Sequence, residues 1–203
     1  MKRIRNHVNP LSFRHKWEEL RLSNYFENEK KPLDIEIGFG RGVFIQAYAK
    51  EHQHRNILGI EVRKALVENL EKKATETLDN LKVFHGNGVA FVQNALQDKS
   101  LEKVFIFHPD PWFKKRQQKR RVINHEFCTI LKKKLKKDGR VYISTDVKEL
   151  WDYQKECMEK NNFVCIDKDV FWQTLYKSHW ANFSLKENRE SYHGTFQLLR
   201  TGS

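Results

Sequence analysis

Two acidic residues and a set of glycines stand where apolar stretches of the sequence end. Glu36 lies in the first apolar run, and the chain leaves that run through three glycines, Gly38, Gly40 and Gly42. Glu61 closes a second apolar run, 23 residues after Gly38. Glycine permits positive φ and close approach of a ligand to the backbone, and a carboxylate offers two acceptor oxygens that suit the two hydroxyls of a ribose. The two segments therefore predict a nucleoside-binding site.

An amide side chain follows the third apolar run. Asn87 stands in the sequence His85-Gly86-Asn87-Gly88, where two roles are open: reading the edge of an adenine ring, or capping a helix. The glycine spacing, G-x-G-x-G, differs from the G-x-G-x-x-G of turns that hold a dinucleotide pyrophosphate. This difference disfavours a nicotinamide cofactor. The three segments together predict an adenosine pocket, which a cofactor such as S-adenosylmethionine fits.

The segment from His108 to Arg121 combines an acid, aromatic residues and cations. Pro109 and Pro111 fix φ and remove two donors, so they stiffen the loop that presents Asp110 and Trp112. Six of the eight residues from 114 to 121 are cationic. A basic run is usually only a solvated surface, but this one adjoins the acid and the aromatic, which favours contact with nucleic acid. Trp112 is either a packing anchor or a base-stacking residue.

The charge of the whole chain points to a polyanionic partner. The 203 residues include 38 Lys and Arg against 26 Asp and Glu, a net charge of +12. Such a charge favours nucleic acid or an anionic membrane surface. The sequence has no apolar run of membrane-spanning length and no secretory signal, so we expect a cytoplasmic protein without a membrane partner. The three scattered cysteines fit reduced thiols, and no metal is expected.

Apolar runs alternate with amphipathic stretches of helical period, which predicts an α/β fold. We expect a basic N-terminal arm with a short helix around Trp17 in residues 1–31, and one domain in residues 32–203 with a doubly wound, Rossmann-like, mainly parallel sheet. In such sheets ligands bind beyond the carboxyl ends of the strands. The predicted strands are Leu33–Ile37, Asn56–Val62, Leu81–His85, Val104–Phe107, Arg140–Thr145, Phe163–Ile166 and Thr195–Leu199.

The loop from Pro109 to Arg121 carries a long motif. It reads P-D-P-W-F-K-K-R-Q-Q-K-R-R and matches every defined position of the signature P-D-P-W-x-K-x-R-x-x-K-R-R. The chain thereby resembles the bacterial tRNA (guanine-N7-)-methyltransferase family, and the resemblance extends from the glycine turn to Ser144-Thr145-Asp146. It implies a class I S-adenosylmethionine-dependent methyltransferase sheet with an antiparallel last strand. His108 and Gln117 depart from the family, which tends to have an apolar or small residue and a histidine there.

The resemblance also implies roles for individual residues. Asp110 is the implied catalytic residue, and Lys114 and Asp146 are implied substrate contacts. Ser184 and Glu187 match the family's T-x-x-E element only loosely and are the remaining substrate candidates. The implied cofactor-binding residues are Glu36, Gly38, Gly40, Glu61, Asn87 and Asp110.

The chemistry that the resemblance implies is methyl transfer to N7 of a guanine in tRNA, with the variable loop as the expected position. This nitrogen carries a lone pair and no proton, so we expect catalysis to come from alignment and electrostatics. Asp110 or Asp146 would accept from guanine N1–H and the amino group. We expect the RNA to be held by cations with a strong salt dependence. The candidates are Lys2, Arg3, Arg5 and Arg14 in the arm, Lys114, Lys115, Arg116, Lys119, Arg120 and Arg121 in the loop, and the tract Lys132–Lys137.

Two other functions stay open at the level of sequence. One is a methyltransferase that acts on another RNA or on a base amino group, since Asp110-Pro111-Trp112 faintly resembles motifs that hold an exocyclic amine. The other is a non-catalytic RNA-binding module on a nucleotide-binding fold, which the presence of Glu36, Glu61 and Asp110 disfavours. The sequence leaves open whether the protein is a monomer or a homodimer.

Overall fold

The fold is described from a computed structural model that covers residues 8–75, 77–166, 168–174 and 190–199. The strands are β1 (Leu33–Ile37), β2 (Asn56–Glu61), β3 (Leu81–His85), β4 (Leu101–Phe107), β5 (Leu135–Thr145), β6 (Phe163–Ile166) and β7 (Tyr192–Leu198). The helices are α1 (Val43–Glu51), α2 (Lys64–Thr75), α3 (Gly88–Ala95), α4 (His125–Lys134), α5 (Lys148–Lys160) and α6 (Phe171–Thr174). No helix in these ranges is long and apolar enough to cross a membrane.

The seven strands form one sheet in the order β3-β2-β1-β4-β5-β7-β6. Strands β1 to β5 are parallel, and β7 runs antiparallel to both of its neighbours. The predicted α/β class, the doubly wound sheet and the antiparallel last strand are confirmed. The strand order reverses between β1 and β4, and the crevice at the carboxyl ends of these two strands is the expected ligand site.

Alternating side chains of the central strands supply two cores, one on each face of the sheet. On β4, Val104 and Ile106 pack on the side of α3, α4 and α5. Phe105 and Phe107 point the other way and join the aromatic cluster beneath α1, α2 and α6. Because both faces are covered, the central strands are largely buried, including the acidic Asp34 and Glu36 of β1. The carboxyl ends of the strands are thus left as the place for ligand chemistry.

The described part of the arm differs from the predicted short helix. Residues 13–21 form neither helix nor strand, between two 3-10 turns at Pro10–Ser12 and Leu22–Asn24. The ring of Trp17 meets that of Phe91 at 4.7 Å between centroids, and the amide of Leu20 donates to the carbonyl of Ala95. These contacts with α3 hold the segment in a non-helical conformation, because tertiary packing outweighs a weak local helical preference.

Strand β5 begins five residues earlier than the sequence indicated. Leu135 pairs with Leu101, and the register then shifts so that Arg140 pairs with Lys103. The polar residues between Leu135 and Arg140 therefore bulge out of the ladder. The hydrophobic pattern did not predict this first strand pair, because a short run of lysines and a glycine separate Leu135 from the rest of the strand.

Candidate active site

The glycine turn after β1 adopts the conformation that its composition indicated. Gly38, Gly40 and Gly42 have φ values of 78°, 58° and 72°, in the left-handed region where a side chain is strained. A Cβ atom at Gly38 would meet nothing within 4 Å, whereas one at Gly42 would collide with Leu70. The first glycine therefore faces open space at the end of the sheet, and the third packs against α2.

Glu61 is tied to this turn by hydrogen bonds. The amide of Gly40 donates to its Oε2 at 2.9 Å, and the amide of Arg63 donates to its Oε1 at 3.0 Å. The Arg63 guanidinium donates to both oxygens, from Nη2 at 2.8 Å and from Nε at 3.0 Å. The Glu61 side chain is only 2% exposed, while that of Arg63 is 43% exposed. The carboxylate predicted to hold a ribose is thus fixed beside the glycine turn. The Arg63 side chain that covers it is exposed enough to turn toward solvent.

Glu36 is buried next to this pair. Burial, and the charge of Glu61 in smaller part, raise its pKa from 4.5 to about 8. Its Oε2 atom is buried and has no hydrogen-bond partner among the described residues. A buried acceptor of this kind calls for an explanation, and a cationic ligand group at the sheet edge would supply one.

Asp110 reaches the same region from β4. The pKa of Arg63 is raised chiefly by its hydrogen bonds to Glu61 and in smaller part by the charge of Asp110. One guanidinium therefore lies within electrostatic range of both carboxylates. Charge interactions thus link Glu36 with Glu61, and Asp110 with the arginine that pairs with Glu61, at the ends of β1, β2 and β4.

The loop that carries Asp110 is held by an unusual backbone and a buried arginine. His108 and Trp112 have φ values of 47° and 44°, a region that non-glycine residues seldom occupy. Arg121 donates from Nε to the carbonyl of Pro111 at 2.9 Å and pairs with Glu149. Its side chain is 3% exposed. Arg121, which the sequence placed among the RNA-binding residues, is therefore used inside the protein to hold this loop.

The remaining cations of the motif form a surface. Lys114, Lys115, Arg116 and Lys119 are exposed, the last three on a 3-10 helix at Lys115–Arg120. Arg120 lies over the ring of Trp112 at 4.9 Å from the centroid, and Trp112 is 8% exposed. Of the two roles open for Trp112, the structure shows the packing anchor. We call the four exposed cations the basic rim.

Asp146 follows β5 and meets His108 from the adjacent strand. Their Nδ1 and Oδ1 atoms are 3.6 Å apart, and both side chains are almost fully buried. The amide of His108 also donates to the carbonyl of Ser144. In the sequence, His108 stands out only as a departure from the family, and no local pattern there predicts its contact with Asp146. Arg63 was not predicted as a site residue either, although an arginine two residues after the candidate ribose acid is a visible signal.

The Asn87 side chain caps α3 in this structure. Its Oδ1 accepts from the amides of Val89 and Ala90, and its Nδ2 donates to the carbonyl of Pro10 at 2.9 Å. Of the two roles left open by the sequence, the helix cap is the one observed, and a contact with adenine stays a prediction. The hydrogen bond to Pro10 joins the arm to the end of β3.

Several other candidates lie away from the site or outside the described residues. Arg3, Arg5, Ser184 and Glu187 fall outside the described ranges. The lysine tract runs from the end of α4 into the start of β5, at the opposite end of the sheet from Asp146. Within it, Lys134 pairs with Asp98 and Lys136 with Glu102. In the described part of the chain, no group of three His, Cys, Asp or Glu side chains is placed to hold a metal ion.

Comparison with known proteins relates this chain to methyltransferases in both sequence and fold. Residues 30–195 match the family described as "Putative methyltransferase". A curated tRNA (guanine-N(7)-)-methyltransferase of Prochlorococcus marinus (strain AS9601) is 39% identical, over 93% of this chain and 92% of that protein. Two solved structures share the fold. The 16S rRNA methyltransferase KamB is 10% identical, with a TM-score of 0.63 over 88% of this chain and 91% of that one. A SAM dependent methyltransferase from Aquifex aeolicus is 11% identical, with a TM-score of 0.57 over 88% and 87%. By its sequence, the chain belongs to the tRNA (guanine-N7-)-methyltransferase family of class I S-adenosylmethionine-dependent enzymes.

Proposed function

We propose that this protein transfers the methyl group of S-adenosylmethionine to N7 of a guanine in the variable loop of tRNA, in the cytoplasm. The observation that carries the proposal is the meeting of Glu36, Glu61 and Asp110 at one open glycine turn, with the basic rim on the same loop as Asp110. An anionic pocket suits a sulfonium cofactor, and a cationic surface suits the RNA phosphates.

The chain's own groups fit this cofactor. Glu61 has two acceptor oxygens for the ribose hydroxyls once the Arg63 side chain turns away toward solvent. The unpartnered Oε2 of Glu36 is an acceptor for the cofactor's ammonium group. The turn at Gly38 and Gly40 leaves room for close approach to the backbone. When bound, S-adenosylmethionine supplies an electrophilic methyl group on a positively charged sulfur.

Asp110 and Asp146 would orient the base. Carboxylates at the ends of β4 and β5 can accept from guanine N1–H and the amino group, which adenine does not present in that arrangement. Held by Glu36, Glu61 and the glycine turn, the cofactor would supply its methyl group to the N7 lone pair, and the electron pair of the carbon–sulfur bond would stay on sulfur. No proton leaves the base, which becomes cationic, so nearby carboxylates favour the product by charge. Alignment therefore matters more than a general base.

The basic rim would hold the RNA backbone. Its four exposed cations lie four to nine residues after Asp110 in the chain, so phosphates bound there would bring a nucleotide to the carboxylates. Each phosphate contact that releases a counterion steepens the salt dependence of binding. Arg121 is not counted in this surface, since it is buried against Pro111.

The decisive experiment supplies the protein with radiolabelled S-adenosylmethionine and unmodified total tRNA, and then digests the RNA to nucleosides. We expect label in 7-methylguanosine, and sequencing of the product should place it in the variable loop. The matched variants are Asp110→Ala and Asp110→Asn, which should lose turnover while the thermal unfolding midpoint stays unchanged. Label in an exocyclic amine would establish the alternative methyltransferase. Binding of tRNA without any label would establish the non-catalytic module.

A further inference from the structure

Phe113 is the most exposed aromatic side chain among the described residues. It is 62% exposed, while its neighbour Trp112 is 8% exposed beneath Arg120. The left-handed backbone at Trp112 separates the two rings, so that one enters the protein while the next stands in solvent. A single exposed apolar side chain is common on protein surfaces and needs no function. What distinguishes Phe113 is its position, between Asp110 and the basic rim.

The backbone that presents Phe113 is firmly held. Pro109 and Pro111 restrict φ on its N-terminal side, and the buried Arg121 donates to the carbonyl of Pro111 from the far side of the loop. A ring on a stiff backbone loses little conformational freedom when it binds, which is what an efficient contact residue requires. Phe113 is thus a preorganised aromatic three residues from Asp110.

The surroundings of Phe113 are cationic. Lys114, Lys115 and Arg116 follow it and are exposed. Proteins that bind unpaired nucleic acid combine such a positive surface, which follows the phosphates, with an aromatic face on which a base stacks. An apolar protein partner would instead meet a row of cations that it must desolvate. The charge therefore selects RNA as the occupant of this surface.

The proposed reaction exposes one face of the base next to the target guanine, and that face can accept a stacking partner. An enzyme that acts on a base removes it from the stack, which exposes the face of the neighbouring base. An aromatic ring at the rim of the pocket can replace the lost stacking. Trp112 is buried and cannot do this, whereas Phe113 is exposed on the same loop as the proposed catalytic acid.

We propose that Phe113 is a nucleobase-stacking residue that covers the face of the nucleotide next to the target guanine. This inference rests on the proposed function, because it assigns a second nucleotide subsite to the same reaction. The subsite consists of the Phe113 ring with Lys114 and Lys115 as its phosphate contacts. It takes any base, since every base offers a flat face, and so contributes affinity and positioning rather than sequence selection.

The test measures steady-state methylation of an unmodified tRNA transcript by the full chain and three variants at this position. Phe113→Ala should raise KM for tRNA between about fivefold and about a hundredfold, the range for loss of one base–aromatic stack. The dissociation constant for S-adenosylmethionine and the thermal unfolding midpoint should not change. Phe113→Trp should restore KM, and Phe113→Leu, which keeps the apolar surface without the flat ring, should not. Val170→Ala is the matched control, since Val170 is 63% exposed and follows Asp169, which pairs with Arg140 in the middle of β5, five residues before Thr145.

The outcomes separate this inference from the function on which it rests. If the wild-type protein methylates the transcript and Phe113→Ala keeps the wild-type KM, the stacking role is excluded and the proposed function stands. Equal recovery by Phe113→Leu and Phe113→Trp would also exclude stacking, because it would assign the effect to apolar contact. Failure of the wild-type protein to methylate the transcript would overturn both.

Discussion

Arg63 donates to both carboxylate oxygens of Glu61, from Nη2 at 2.8 Å and Nε at 3.0 Å, at the edge where the cofactor is proposed to bind. The guanidinium also lies within range of the charge of Asp110. A cation thus stands among the carboxylates that would receive a sulfonium. This cation should affect how the site distinguishes a charged cofactor from its neutral product.

Replacing Arg63 by alanine should favour S-adenosylmethionine over S-adenosylhomocysteine. The two ligands differ by the charge on sulfur. The guanidinium stays tethered two residues from Glu61 even when it turns toward solvent, so its removal makes the pocket more negative. We expect the ratio of the two dissociation constants to shift by about 1 kcal/mol, roughly fivefold, toward the charged ligand. Calorimetric titration with each ligand measures this ratio. Lys72→Ala on the exposed face of α2 removes the same charge elsewhere and should leave the ratio unchanged. An unchanged ratio in Arg63→Ala would show that the guanidinium does not interact electrostatically with the sulfur.

Cofactor binding should release a proton from Glu36. Its pKa of about 8 leaves it protonated at pH 7, and an ionised carboxylate is the better acceptor for an ammonium group. Affinity for S-adenosylmethionine should therefore rise by up to about tenfold per pH unit below pH 8 and level off above it. Titrations in buffers of different ionisation enthalpy count the released protons. Glu36→Gln should abolish the release. Identical heats in all buffers for the wild-type protein would contradict this assignment.

The same carboxyl should make the ligand-free protein less stable as pH rises. Between pH 4.5 and about 8 the folded protein keeps a proton on Glu36 that the unfolded chain has lost. The contribution of this group is therefore complete below pH 4.5 and is lost progressively up to about pH 8. Chemical denaturation at several pH values, compared with Glu36→Gln, isolates the effect. The difference in unfolding free energy between the two proteins should change across this window, and a constant difference would rule the linkage out.

His108 should act on the RNA substrate through Asp146. Its Nδ1 lies 3.6 Å from Asp146 Oδ1 in a buried setting, so its removal leaves the carboxylate less well oriented. His108→Phe should lower kcat/KM for tRNA by about tenfold without changing the affinity for S-adenosylmethionine. His108→Asn, which keeps a donor near the Nδ1 position, should recover part of the loss. The effects of His108→Phe and Asp146→Asn on kcat/KM should be non-additive in the double variant. Full additivity would show that the two residues act independently.

Arg121 and Lys119 should differ although they lie two residues apart. Arg121→Ala removes a buried donor to Pro111 and should lower the free energy of unfolding by about 2 to 3 kcal/mol, mostly through the unsatisfied carbonyl. Lys119→Ala should leave stability unchanged, weaken tRNA binding and reduce the slope of log affinity against log salt by about one. Thermal unfolding and filter binding at several salt concentrations measure both. Equal effects of the two changes on the salt slope would show that Arg121 also contacts phosphate.

The sequence predicted the frame of the site because local signals define it. Strands β1 and β3 have the predicted bounds since both are short apolar runs closed by glycines. The turn at Gly38 could be predicted because it needs residues that tolerate positive φ. Asp110 could be identified as a candidate because a long motif surrounds it.

The missed features depend on contacts between distant parts of the chain. Arg121 stands among five other cations in the sequence, and only the path of the loop through Trp112 decides that it is the buried one. The meeting of His108 with Asp146 follows from the pairing of β4 with β5, which places their ends side by side. The predicted short helix at Trp17 failed for the same reason, because its ring finds Phe91 on α3.

The placement of Trp17 and Pro10 has a consequence for where the protein can be shortened. Trp17 covers Gly86 and packs on Phe91, and the Pro10 carbonyl accepts from the Asn87 amide. A fragment starting at Pro32 would expose the hydrophobic side of β3 and α3 to water. The side-chain amide of Asn87 would also lose its hydrogen-bond acceptor. A minimal catalytic fragment must therefore retain the chain from Pro10 onward, even though the match to the family model begins only at residue 30.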